Sequence, residues 1–173
     1  MGWLDQQDLQ DWLHLLINEY PEANITLYGV SMGASAVLNL AASDLPNQVD
    51  TVIADSGFTS VAEIFETQLN DTLHLPSFPI MNAANSVSKL RINLDFYQAS
   101  TVALVPNIKI PIFYIHGGLD DFVPVSNVHA LGKATTAPHH VWVVENANHG
   151  EAVKVDPDEY RKRLHEFIQN ERD

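Results

Sequence analysis

Apolar residues near the start of the chain recur at helical spacing. From Asp8 to Tyr20 they fall at Leu9, Trp12, Leu13, Leu16, Ile17 and Tyr20, one stripe of a 3.6-residue repeat, which predicts an amphipathic helix. Asp5 is its expected N-cap and Pro21 its stop. The pattern then shortens. Asn24–Tyr28 reads as a strand rich in Ile, Thr, Leu and Tyr, broken by Gly29. Met32–Ala42 carries Ala34, Ala36, Val37, Leu38 and Leu40, a small-residue helix packed closely on something else. Val49–Ala54 is a second strand that runs into Asp55, and His140–Val144 is a fourth. Between them, Ile110–Ile115 is apolar at nearly every position, as a strand covered on both faces should be. Val125–Lys133 and Asp158–Asn170 are predicted helices, the last with Tyr160, Leu164, Phe167 and Ile168 along one side.

Strands that alternate with helices predict βαβ units. The fold class is therefore α/β, a mostly parallel sheet with helices on both faces. The stretch from Thr59 to Ser100 departs from that rhythm. It reads as a helix near Val61–Leu69, a proline-containing loop through Pro76 and Pro79, and a further helix near Ala83–Lys89. There is no internal repeat and no linker, so residues 1–173 are expected to form one domain, with an insertion at about 59–100.

Composition narrows the partners. The 22 acidic and 9 basic side chains give a formal charge of -13, which repels phosphate backbones and anionic lipid. A nucleic-acid or membrane-surface role is excluded on that ground, and a small molecule is the expected partner. There is no cysteine, so thiol catalysis, disulfides and thiolate metal sites are excluded too. No apolar run approaches the ~20 residues of a membrane span. Met1–Asp5 has neither a basic start nor an apolar run of a signal peptide, so the chain as given is expected in the cytoplasm.

The candidate chemistry begins at Gly29-Val30-Ser31-Met32-Gly33, a G-x-S-x-G pattern. Two glycines around a serine carry little weight alone. Here a strand runs in and a small-residue helix runs out, the context a nucleophile elbow needs. The tight turn calls for neighbours without bulk two residues on either side of Ser31. It also puts Ser31 at a helix N-terminus, where the dipole and the Met32 N–H can stabilise an oxyanion. A serine hydroxyl is a weak nucleophile and needs a base. His149 begins the loop just past the fourth strand, and Asp120 lies in the loop after the third. Ser31, Asp120 and His149 thus follow three different strands on one sheet edge, where open α/β sheets place their sites. Asp121 and Asp55 are rivals for the acid, and His116 for the base; His116 is expected to brace the Asp120 loop instead. His14, His74, His129 and His165 read as surface or lid residues. His139 and His140 open the fourth strand at the wrong end for catalysis and lack a carboxylate at ligand spacing, so no metal site is read there. Gly29–Gly33 lacks the lysine of a phosphate loop, and no cofactor is expected.

At these residues the chain resembles the α/β-hydrolase superfamily. More narrowly it is similar to prolyl-oligopeptidase-like and esterase-like cell-surface hydrolases of Gram-positive bacteria. The matching stretches are Gly2–Asp5 with Asp8 and Trp12, Leu27–Ala34, Asp55–Ser60, Ile115–Pro124 and Ala147–Gly150. The resemblance implies Asp120 as the acid, four residues after His116, and His149 as the base. It makes the segment 59–100 a small helical cap. It also implies that several strands before the elbow are missing, with the His-Gly loop that supplies a second oxyanion N–H. Met1 is then an internal methionine or the start of a truncation, and a full-length parent is expected at the cell surface. With its neighbour strand gone, Ile25–Tyr28 becomes an open sheet edge, which predicts either a homodimer through that edge or poor solubility of the chain alone.

Two functions compete. The first is a serine hydrolase acting on carboxylic esters, with amides as the alternative, through Ser31, His149, Asp120 and the Met32 N–H. The second is a truncated remnant, catalytically impaired, that binds a partner strand.

Overall fold

The computed structural model describes residues 2–172; Met1, and with it the reading of the start, lies outside the described residues. Four strands form one sheet: β1 (Ile25–Val30), β2 (Val49–Asp55), β3 (Ile112–Gly117) and β4 (His139–Val144). They lie side by side in chain order, and every pairing is parallel. Each crossover carries helix, as parallel pairing requires. The expected α/β architecture, with helices on both faces, is the observed one.

Alternation along the strands divides the core. Ile112 and Tyr114 of β3, with Val52 and Ala54 of β2, face one side. There they pack under α1 (Asp5–Glu19), α2 (Met32–Ala41) and, further along the chain, the helix that follows β3. Phe113 and Ile115 face the other side with Ile53 and Val144, beneath the terminal helix and its Tyr160 and Phe167. Phe113 and Phe167 meet at 5.4 Å between ring centroids. Ile112 and Ile115 are fully buried, and burial on that scale contributes roughly 1.5–3 kcal/mol per side chain.

The remaining helices, in chain order, are α3 (Val61–Thr67), α4 (Ser77–Ile92), α5 (Thr101–Leu104), α6 (Ser126–Ala134), α7 (Ala152–Val155) and α8 (Pro157–Asn170). The last begins under an Asp156 cap, whose side chain accepts from the Glu159 N–H. Asp5 is not the cap of α1. Leu4 holds that position, Asp5 opens the helix, and its carboxylate accepts from the Gly2 N–H. β3 is shifted two residues later than the pattern predicts, so His116 and Gly117 belong to the strand. The apolar run misleads because Pro111 has no N–H to give a ladder.

The segment between β2 and β3 has its own cluster. Phe58, Val61, Ile64, Met81, Leu94 and Phe96 pack together beside Val123. Ser60 caps α3 by accepting from Glu63. A single π-helical turn (Gln68–Thr72) follows. α4 starts at Ser77, earlier than expected, with a kink at Phe78 before the cis Phe78–Pro79 bond.

β1 pairs only with β2, so its other edge is open among the described residues. Trp12, Leu15, Leu16 and Tyr20 of α1 and Tyr28 of β1 are exposed. No helix among the described residues is long and apolar enough to cross a membrane.

Candidate active site

β1, β2 and β3 end at nearly one level: Val30 is opposite Asp55, and Asp55 is opposite Ile115. Ser31 is the next residue after β1 and stands at φ 56, ψ -117 before α2 begins. A positive φ is strained for a residue with a Cβ, and such strain persists only when the surroundings enforce it. Here the Ser31 N–H donates to the Asp55 carbonyl (2.8 Å), and the Ser31 carbonyl accepts from Ser35 in the first turn of α2. Met32, the first helical residue, carries one of the N–H groups that a helix start leaves without an internal partner.

The two elbow glycines are not equivalent. A Cβ on Gly29 would lie 2.2 Å from the Gly33 carbonyl oxygen, so only glycine fits. A Cβ on Gly33 would meet nothing within 4 Å. The requirement for a small neighbour therefore holds on one side of Ser31 and not on the other, because α2 turns away from the strand.

Past β3, the loops that carry Asp120 and His149 are zipped together by backbone bonds. Gly118 donates to Val144 (2.8 Å) and Leu119 to Ala147 (2.9 Å). A Cβ on Gly117 would sit 2.5 Å from the carbonyl oxygens of both Ala147 and Asn148. The glycine after His116 is what lets these chains approach. Sequence reasoning missed this close packing, although the His-Gly pair was in view.

Ser31, His149 and Asp120 come together as one hydrogen-bonded line. His149 Nε2 is 2.7 Å from Ser31 Oγ, and His149 Nδ1 is 2.8 Å from Asp120 Oδ2. The carboxylate can only accept, so Nδ1 carries the proton and Nε2 is free to accept from the hydroxyl. The other Asp120 oxygen, Oδ1, accepts from the N–H groups of Phe122 (3.1 Å) and Val123 (2.7 Å). Those bonds fix the carboxylate, which is buried, while Ser31 and His149 are half-exposed.

The rival residues go elsewhere. Asp121 is exposed. His116 is fully buried, and its Nε2–H donates to the Val123 carbonyl (2.9 Å), so it braces the Asp120 loop as expected. Burial holds its pKa below the ordinary histidine value, and its Nδ1 has no partner among the described residues. Asp55 is buried against Ser56 and Tyr160, and burial raises its carboxyl above the usual range. It does not cap the following segment; Ser60 does. His14, His74, His129 and His165 are exposed. Among the described residues, no cluster of side chains could hold a metal ion.

A parallel sheet whose first strand ends in a strained serine, hydrogen-bonded to a histidine beyond the last strand, defines the α/β-hydrolase class. The chain belongs to the dienelactone hydrolase family, whose sequence profile matches residues 5–167. It is 30% identical over 173 residues to the Bacillus subtilis protein YqkD, covering 99% of this chain and 57% of that one. It is 28% identical over 152 residues to Rv2307c of Mycobacterium tuberculosis, covering 88% and 47%. The chain thus spans about half the length of these relatives. Among solved structures, the Pyrococcus furiosus esterase Pf2001 superposes with a TM-score of 0.74 at 22% identity, over 97% of this chain and 62% of that one. The Pyrococcus horikoshii acylaminoacyl peptidase gives 0.70 at 16% identity, over 97% and 27%. These two likenesses bear on the fold.

Proposed function

We propose that this chain is a serine hydrolase that cleaves carboxylic esters, with amides as slower substrates, through an acyl-enzyme on Ser31. The observation that carries the reading is the line from Ser31 Oγ to His149 Nε2 at 2.7 Å and from His149 Nδ1 to Asp120 at 2.8 Å. His149 takes the hydroxyl proton as Ser31 Oγ attacks the ester carbonyl carbon. The carbonyl oxygen becomes an oxyanion beside the Met32 N–H at the start of α2. His149 then gives its proton to the departing alkoxide, and the acyl group stays on Ser31. A water molecule repeats the sequence and releases the acid. Asp120 holds the imidazole in the required tautomer and stabilises its cation.

The segment between β2 and β3 borders this site. Gln68 Nε2 donates to the Phe122 carbonyl (2.9 Å), and the exposed apolar side chains Leu73, Leu75 and Phe78 follow in the chain. The fold neighbour named an esterase agrees with the ester reading.

The test is turnover of p-nitrophenyl acetate by the wild-type chain and by Ser31→Ala. The variant should be slower by about 10⁴-fold or more, as when a triad nucleophile is removed. Equal rates for the two proteins end the proposal.

One observation favours a second reading. The open edge of β1 suits a binding module that pairs with a partner strand. A fluorophosphonate probe separates the two, because only an activated Ser31 is labelled.

A further inference from the structure

The two residues after the middle of the sheet, Asp55 and Ser56, lie between the nucleophile and the base. The Asp55 carbonyl accepts from the Ser31 N–H (2.8 Å). Ser56 Oγ accepts from the N–H of Gly150 (3.1 Å), the residue after His149. The Ser56 N–H is tied to the Ile115 carbonyl of β3 (2.8 Å). One dipeptide therefore touches the backbone on both sides of the Ser31–His149 bond.

The side chains behind it form a chain with one direction. Ser56 Oγ donates to Asp55 Oδ1 (2.9 Å), and the Tyr160 hydroxyl donates to Asp55 Oδ2 (2.8 Å). Tyr160 has then used its proton, so the Tyr28 hydroxyl, 3.0 Å away, donates to Tyr160. Ser56 has used its proton as well, which leaves its lone pairs for Gly150. Every donor points towards the Asp55 carboxylate. If Asp55 were protonated it would have to donate to Ser56 or Tyr160, and the order would break.

The backbone supplies an independent sign. Ser56 holds φ 55 and is fully buried. Glycine adopts that conformation without penalty. A serine there is strained by its Cβ, and of the hydroxymethyl group that glycine lacks it is the hydroxyl that bonds, to Asp55 and from Gly150. Strain of this sort gathers at functional sites.

We propose that Asp55 and Ser56 are positioning residues, which hold the His149–Gly150 peptide and the Ser31 backbone in register so that the imidazole meets the hydroxyl. This rests on the reading of Ser31, His149 and Asp120 as a hydrolytic triad.

The test has two readouts on the wild-type chain, Ser56→Ala, Asp55→Asn and Tyr160→Phe. The first is hydrogen exchange of the Gly150 amide by NMR, which needs no activity. The second is steady-state kinetics on p-nitrophenyl acetate. In Ser56→Ala and Asp55→Asn, Gly150 exchange should quicken by about tenfold or more while the core amides of β2 and β3 are unchanged, because local opening is what changes. kcat should fall by about 10–100-fold with KM within about twofold, the mark of misplaced reacting groups. Tyr160→Phe, which removes one donor from the same carboxylate and leaves the ring beside Trp142, should give the same pattern at smaller size. It also covers the case in which a buried Asp55 or Ser56 variant does not fold. Unchanged Gly150 exchange in the folded variants overturns the proposal. So does faster exchange spread evenly over the sheet with kcat intact, which is what a purely structural cluster gives. A wild-type chain without turnover sinks the hydrolase reading instead, and the Gly150 readout then judges the anchoring by itself.

Discussion

The ring of Phe122 lies against the imidazole of His149, with centroids 5.0 Å apart and planes inclined at 48°. The same residue donates its N–H to Asp120 and accepts from Gln68 at its carbonyl. One loop residue thus steadies Asp120, covers one face of His149 and ties both to the segment between β2 and β3. Phe122→Ala keeps the backbone bonds and loses only the ring. Phe122 is 44% exposed, so stability should change little, within about 1 kcal/mol. The bared imidazole should cost about tenfold in kcat/KM through looser placement. Thermal unfolding and ester kinetics check both halves.

The elbow glycines should respond differently to the same substitution. Gly29→Ala drives a Cβ to 2.2 Å from the Gly33 carbonyl oxygen, where the backbone has no room to yield. A loss of several kcal/mol, or failure to fold, is expected, because overpacking alone typically costs about 1–3 kcal/mol and here the clash is with main chain. Gly33→Ala meets open space and adds a better helix former near the start of α2, so it should be neutral or slightly stabilising. Equal melting temperatures for the two variants would contradict the steric asymmetry.

His116 should make the protein acid-sensitive in a predictable sense. Burial lowers its pKa from 6.5, against the Val123 hydrogen bond and the Asp120 and Asp55 carboxylates, which favour the charged form. On acidification the unfolded chain takes up a proton near 6.5 and the folded chain resists it. The stability owed to neutral His116 is complete above 6.5 and is lost as pH falls towards the folded value. Asp55 opposes this: with its pKa raised from 3.8, the stability it lends is complete below 3.8 and is lost as pH rises through the raised folded value. His116→Gln offers an N–H to the Val123 carbonyl and cannot be protonated. Denaturant titrations at about pH 7 and about pH 5 should therefore show a smaller loss for the variant than for the wild type. A larger loss in the variant would reverse the sign and refute the account.

The free edge of β1 should be paired in solution. Among the described residues no strand pairs with its outer edge, and Trp12, Leu15, Leu16 and Tyr20 are exposed on α1. Such an edge invites a second copy. Light scattering on the purified chain should report a dimer, and Tyr28→Lys on the edge strand should weaken it. A stable monomer at high concentration counts against this association.

Much was written in the chain itself. The periodicities of Leu9–Tyr20 and Tyr160–Ile168 and the apolar runs at Val49–Ala54 and Ile110–Ile115 depend on local spacing, so the α/β class could be read without coordinates, although the last run misplaced its strand by two residues. The order Ser31, Asp120, His149 was legible because each follows a strand, and parallel strands bring such ends to one edge. What spacing cannot carry is contact between distant backbones. Ser31 and His149 are 118 positions apart, and the 2.7 Å between them depends on how tightly two loops pack. Gly117 permits that packing by its missing Cβ, and Ser56 anchors it through a hydroxyl held at a positive φ. Neither property has a pattern along the chain. The sequence favoured Asp120 over Asp121 and Asp55 only through the resemblance; that its carboxylate is the one beside the imidazole, at 2.8 Å, is a tertiary fact, for the three have the same chemistry.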